Sequence, residues 1–207
     1  MEIRETVERL LGRPTGSEDG MSDDELNPGM ALCGAVLPPA LLEFYHLAGN
    51  NPMLMDSFNM FLRPEHLRVE NGKTAFLEEN QGVCHWAFES KQNGDMVFMR
   101  PAGSEEWLPE ATLELFLPVA LYLQCAQMGY EFCGLVGLDN DALRERLDSE
   151  WEPAVSHNGF FAVWKPDCLL WYLFTGSGEI IDDTIYFSSR TREAYAAHEN
   201  DYELAEL

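Results

Sequence analysis

Basic residues are scarce in this chain. Its 207 residues hold 13 Lys+Arg against 36 Asp+Glu, a formal net charge of -23. Such a chain repels nucleic acid and anionic membrane, and it lacks the basic patch that nucleic-acid recognition needs. A long apolar run is missing too. The most apolar stretch, Leu113 to Met128, is interrupted by Glu114, Pro118, Gln124 and Gln127. It falls short of the roughly 18 apolar residues of a membrane span. The five cysteines (Cys33, Cys84, Cys125, Cys133, Cys168) form no C-x-x-C pair and no zinc spacing with histidine. The glycines of Gly134-Leu135-Val136-Gly137 are not followed by the Lys and Ser/Thr of a phosphate loop. No metal and no cofactor are therefore expected. The odd cysteine number, and a charged amphipathic start (MEIRETVERLL) unlike a secretory leader, point to a reducing cytoplasm.

What is present is acid and an ordinary apolar share of 46%. That share is enough for a sizeable core, and the length suits one domain over residues 1–207. Helical periodicity covers Glu2 to Leu11, with Ile3, Val7, Leu10 and Leu11 on one face and Gly12 as the stop. Arg13 to Gly29 is acidic and without period, the composition of an insert or linker. Leu37 to Gly49 is the clearest helix, with prolines at its first turn and Gly49 as a left-handed end. Strands are expected at Thr74 to Glu78, Gly82 to Glu89 and Met96 to Arg100, with a hairpin at Asn93-Gly94. Ala111 to Gly129 reads as a helix that Pro118 must kink or shorten, and Asp141 to Glu150 as a shorter helix. A second strand group, within about 155–189, runs through Gly159–Lys165, Cys168–Phe174 and Ile180–Ser189. It either completes the first sheet or forms an added lobe. Helices between antiparallel hairpins give an α+β class: a curved, mainly antiparallel sheet with helices packed on one side.

The stretch FLEENQGVCHWAFE, Phe76 to Glu89, invites a catalytic reading because it holds a Cys, a His and paired acids. Strand alternation argues against it. Cys84 and His85 point to opposite faces, and Cys84 shares its face with Trp86 and Phe88. Glu78 and Glu79 end a strand and flank a turn; they do not face each other across a cleft. Leu138-Asp139-Asn140-Asp141 lacks the glycine and closing glutamate of a calcium loop and reads as a helix cap. The tryptophans are core residues or, where a sheet face is open, anchors of a protein interface rimmed by acids.

Several segments together resemble a known family. Leu37-Pro38-Pro39-Ala40-Leu41-Leu42-Glu43-Phe44-Tyr45 with Ala48-Gly49 is similar to the proline-led helix of the SUKH superfamily, the Smi/Knr-like proteins. Pro64-Glu65-His66-Leu67, then Phe76-Leu77-Glu78-Glu79-Asn80-Gln81-Gly82-Val83, and a helix within Leu113 to Met128 follow in that family's order. The resemblance spans Leu37 to Gly129; the acidic segment Ser17 to Glu25 and the strands after Gly159 lie outside it. It implies an α+β fold and the role of a bacterial immunity protein, one that binds and neutralises a cognate toxin and does no catalysis. A nuclease toxin has a basic phosphate-holding site, which an acidic chain can occlude. The surface expected to meet such a basic partner comprises Glu78, Glu79, Asn80 and Gln81 at the hairpin tip, with Asp95, Glu105, Glu106 and Trp107. Two other readings stand beside it: a regulatory adaptor for an endogenous partner, and a cysteine hydrolase using Cys84. Oligomeric state has no signature in the sequence.

Overall fold

The computed structural model describes residues 2–34, 36–91, 94–138, 143, 146, 147 and 149–207; of residues 32, 33, 90, 91, 94 and 95 it describes the backbone alone. The fold is α+β, and the chain divides into two compact units, Met1–Gln124 and Cys125–Leu207. Each carries its own six-stranded antiparallel sheet, where the strand pattern left open a single shared one. Each sheet has a proline on an outermost strand, Pro109 and Pro153, and a residue without an amide hydrogen suits a sheet edge. No helix among the described residues is long and apolar enough to cross a membrane.

The first unit opens with α1 (Ile3–Leu11), which buries Ile3, Val7, Leu10 and Leu11 and ends on Gly12 at φ 66. Residues 13–29, expected to lack structure of their own, are organised by polar contacts. Arg13 and Asn51 bind the buried Asp19, and the Glu25 carboxylate accepts from both Ser22 N and Ser22 Oγ at 2.8 Å, where α2 (Asp23–Cys33) begins. Met21 and Leu26 are buried here, too sparse a pair to give a period. In α3 (Pro39–Ala48), Leu41, Phe44, Tyr45, Leu47 and Ala48 face inward. Gly49 follows in the right-handed region, φ -63, and not in the expected left-handed one. Its small size serves packing: a Cβ there would lie 2.6 Å from Tyr45 O and 2.9 Å from Met21 Cγ.

After α4 (Pro52–Met55), the sheet is built from β1 (Met60–Phe61), β2 (Arg68–Glu70), β3 (Lys73–Glu78), β4 (Cys84–Lys91), β5 (Gly94–Pro101) and β6 (Leu108–Thr112). Asn93, the first residue of the expected hairpin signal, lies outside the described residues. A bulge between Ala75 and Leu77 lets Phe76 and Leu77 both turn inward, against the strict alternation of a flat strand. A line of rings then forms the core: Phe44–Phe61 at 4.8 Å, Phe61–Phe76 at 6.3 Å, Phe76–Phe88 at 6.0 Å and Phe76–Phe116 at 5.9 Å. Phe116 belongs to α5 (Leu113–Gln124), which starts before Pro118 and contains it.

The second unit holds β7 (Phe132–Leu135), β8 (Glu152–His157), β9 (Phe160–Lys165), β10 (Cys168–Leu173), β11 (Tyr186–Ser189) and β12 (Ala205–Glu206), in the order β12-β7-β11-β10-β9-β8. Thr191 caps α6 (Arg192–Glu199) by accepting from Ala194 N at 3.1 Å. Trp151, Val163, Leu170, Phe187, Tyr195 and Tyr202 form much of its core. Residues 139–142, and with them most of the expected calcium-loop or cap segment and the start of the Asp141–Glu150 helix, lie outside the described residues.

Candidate functional site

Phe76 to Glu89 lies within the β3–β4 hairpin, and its turn is held by one of its own side chains. Glu79 Oε2 accepts from Gln81 N at 2.7 Å and Val83 N at 3.2 Å, while Gly82 takes the left-handed φ of 72. Glu79 is thus engaged in shaping the turn. Asn80 and Gln81 beside it are exposed. Ala102 N bonds Val83 O at 2.7 Å, so the loop after β5 lies against the same turn. That loop carries Glu105 and Glu106, both exposed. One end of the sheet therefore collects Glu79, Asn80, Gln81, Glu105 and Glu106.

Asp95 is not brought there. It pairs with Ser90 near the far end of the β4–β5 hairpin, while Pro101 pairs with Cys84 at the acidic end. The rise of a strand puts about 20 Å between those ends. An antiparallel hairpin sends its tip away from the preceding turn, so neighbours in sequence part company in space.

Register also assembles a row that the sequence alone did not show. Met60 pairs with Glu78, Glu78 with His85 and His85 with Arg100. These side chains share the sheet face opposite the Phe core. Glu78 is ion-paired with Arg68 and lies 3.7 Å from His85 Nδ1. Arg100 Nη1 meets Glu70 at 2.6 Å, and its guanidinium sits 4.6 Å over the Trp107 ring. Further along, Lys73 Nζ is 3.8 Å from Glu89 and 4.1 Å over the Phe98 ring. Ala75 and Ala87, small and buried, occupy the middle of this face. Burial first, and then Arg68 and Arg100, push the His85 pKa below its ordinary value, so the ring is neutral near pH 7. Trp107 is half-buried, and its Nε1 finds no hydrogen-bond partner among the described residues.

The chemistry at Cys84 runs against a nucleophile. Its thiol is pushed up to about 11, by burial and then by Glu79 and Glu110. A thiol held protonated at neutral pH is a poor attacker. Its neighbour His85 belongs to the opposite face. Trp86, on the Cys84 side, donates from Nε1 to Glu110 Oε2 at 2.9 Å. Among the described residues, no group of three or more His, Cys, Asp or Glu is placed to hold a metal ion.

His85, Arg68, Glu70 and Arg100 were not among the residues expected at a site. The signal that would find them is parity: once the β3–β4 pairing is known, every second residue from Glu78 and His85 shares their face. No family model, curated protein or solved structure matches the chain.

Proposed function

We propose that this chain is a non-catalytic binding protein that neutralises a basic toxin domain, in the manner of the SUKH immunity proteins its Leu37–Gly129 segment resembles. The observation that carries the reading is the acidic end of the first sheet. Asn80 and Gln81 on the turn, and Glu105 and Glu106 on the adjoining loop, present exposed polar and anionic groups on two loops joined by backbone hydrogen bonding. The chain charge of -23 supplies long-range attraction for a cationic partner. Steering of this kind brings association toward about 10⁸–10⁹ M⁻¹s⁻¹ at low salt. An interface of roughly 1,600 Å² suffices for tight occlusion. Glu78 contributes through its pair with Arg68, and Trp107 through its stack with Arg100; Asp95 lies outside this patch.

The raised thiol of Cys84 removes support from the hydrolase alternative. Co-expression with a toxin encoded at the same locus tests the main reading. Restored growth and co-elution of the pair in gel filtration are expected. Persistent growth arrest with no complex would falsify it for that pair.

A further inference from the structure

The first unit also contains a cavity of about 700 Å³, beside the charged sheet face. This volume is within the range of sites that take a ligand, about 300–1,000 Å³. It is lined by Met55 of α4, Met60 and Phe61 of β1, and Leu62 and Leu67 of the connection to β2. Met55, Phe61, Leu62 and Leu67 are buried, whereas Met60 is 45% exposed. Methionine is unbranched and polarizable, and it adapts to the shape of what it meets.

Charge surrounds this apolar lining. Arg63 Nε lies 3.2 Å from Glu65, and both its terminal nitrogens donate to Asn50 Oδ1 at 3.3 Å. Arg68 is held by Glu78. Asp56 also lines the cavity and has no cationic partner among the described residues. Two guanidinium groups, both engaged, and the His66 ring thus share the lining with three carboxylates, a formal surplus of one negative charge between the carboxylates and the guanidinium groups. Met60, Arg68 and Glu78 belong at once to this cavity and to the charged sheet face.

The geometry points to a docking pocket for one apolar side chain of a basic protein partner. The anchor enters beside Met60 and packs on Met55 and Phe61. Lysine or arginine residues flanking it meet Asp56 and the neighbouring carboxylates. An apolar centre with a polar rim is the usual anatomy of an interface hot spot. The assignment deepens the toxin-binding reading and rests on it for the basic charge of the partner.

The test uses the full chain with ¹³C-methyl methionine and three peptides: acetyl-Lys-Lys-Phe-Lys-Lys-amide, the same peptide with Ala for Phe, and the Phe peptide with Glu for every Lys. The Lys-flanked Phe peptide is expected to shift the Met55 and Met60 methyl signals with a Kd on the order of millimolar. The Ala peptide and the Glu-flanked peptide should each bind at least about tenfold more weakly. Met60→Arg, at an exposed position, should weaken binding by a similar factor while the methionine signals outside the cavity stay in place. Equal shifts from the Phe and Ala peptides, or no response at Met55 and Met60, would overturn the pocket, even if the chain rescues growth against a toxin. Failed rescue overturns the toxin reading, even if the peptide seats in the pocket.

Discussion

Asp19 sits in a segment whose composition reads as solvated, yet its side chain is only 3% exposed. Its carboxylate accepts from Arg13 Nη1 and Nη2 at 2.7 and 2.8 Å, from Gly16 N at 2.8 Å and from Asn51 Nδ2 at 2.8 Å. The hydrogen bond from Arg13 is the largest of the influences that hold the group well below the usual carboxylate range, against the opposing effect of burial. A folded-state pKa depressed in this way adds stability above the unfolded value of about 3.9, and that stability is lost as pH falls below it. Asp19→Asn should therefore cost about 2–3 kcal/mol at pH 7. It should also flatten the loss of stability between pH 5 and 3. Urea denaturation of both proteins across that pH range measures both effects, and parallel pH profiles would count against the carboxylate. Gln124 carries the same lesson. In the sequence it merely interrupts an apolar run. In the fold it is fully buried, with Asn59 N donating to its Oε1 at 2.6 Å and its Nε2 donating to Asn59 O at 2.6 Å. A polar residue inside a helix gives no hint of the backbone it will satisfy, because that backbone lies 65 residues away.

At the scale of an element, the β3–β4 hairpin separates two kinds of glutamate that look alike in sequence. Glu79 ties down Gln81 N and Val83 N, so Glu79→Ala should lower stability by about 1 kcal/mol. Glu105 and Glu106 project from the adjoining loop, and the double change to Gln should leave stability within about 0.5 kcal/mol. The double variant should instead slow association with a basic partner. Denaturation midpoints and stopped-flow association rates distinguish the two; an unchanged midpoint for Glu79→Ala would show that the turn forms without its carboxylate. Helices α1 and α3 and the strands of this hairpin were readable because their apolar spacing matches their own geometry. The bulge at Phe76 was not, since it arises from pairing with β4, and neither was the right-handed Gly49, since the close approach of Tyr45 O and Met21 is what calls for its small size.

Over the whole molecule, charge is the governing quantity. With 36 acids against 13 Lys+Arg, like-charge pairs outnumber the ion pairs that could offset them. Self-repulsion of this kind destabilises the compact state and is screened by salt, with a Debye length near 10 Å at 0.1 M. Raising NaCl from about 10 to 300 mM should thus raise Tm by about 2–4 °C, the shift that roughly 1 kcal/mol produces in a chain of this size. Differential scanning calorimetry reads it, and a falling Tm would mean that ion pairs such as Arg100–Glu70 and Lys165–Glu150 outweigh the repulsion.

Composition and periodicity, which are local properties, determined the acidic character, the α+β class, the main helices and the opposite faces of Cys84 and His85. Tertiary structure alone decided the rest. It split the strands into two sheets, drew Glu105 and Glu106 to the β3–β4 turn, sent Asp95 to the far end, and built both the Met60–Glu78–His85–Arg100 row and the cavity beside it. Each of these depends on which strand pairs with which and in what register. In the first unit that choice is made by burial of the Phe44, Phe61, Phe76, Phe88 and Phe116 rings against one another, an energy shared among residues far apart in the chain.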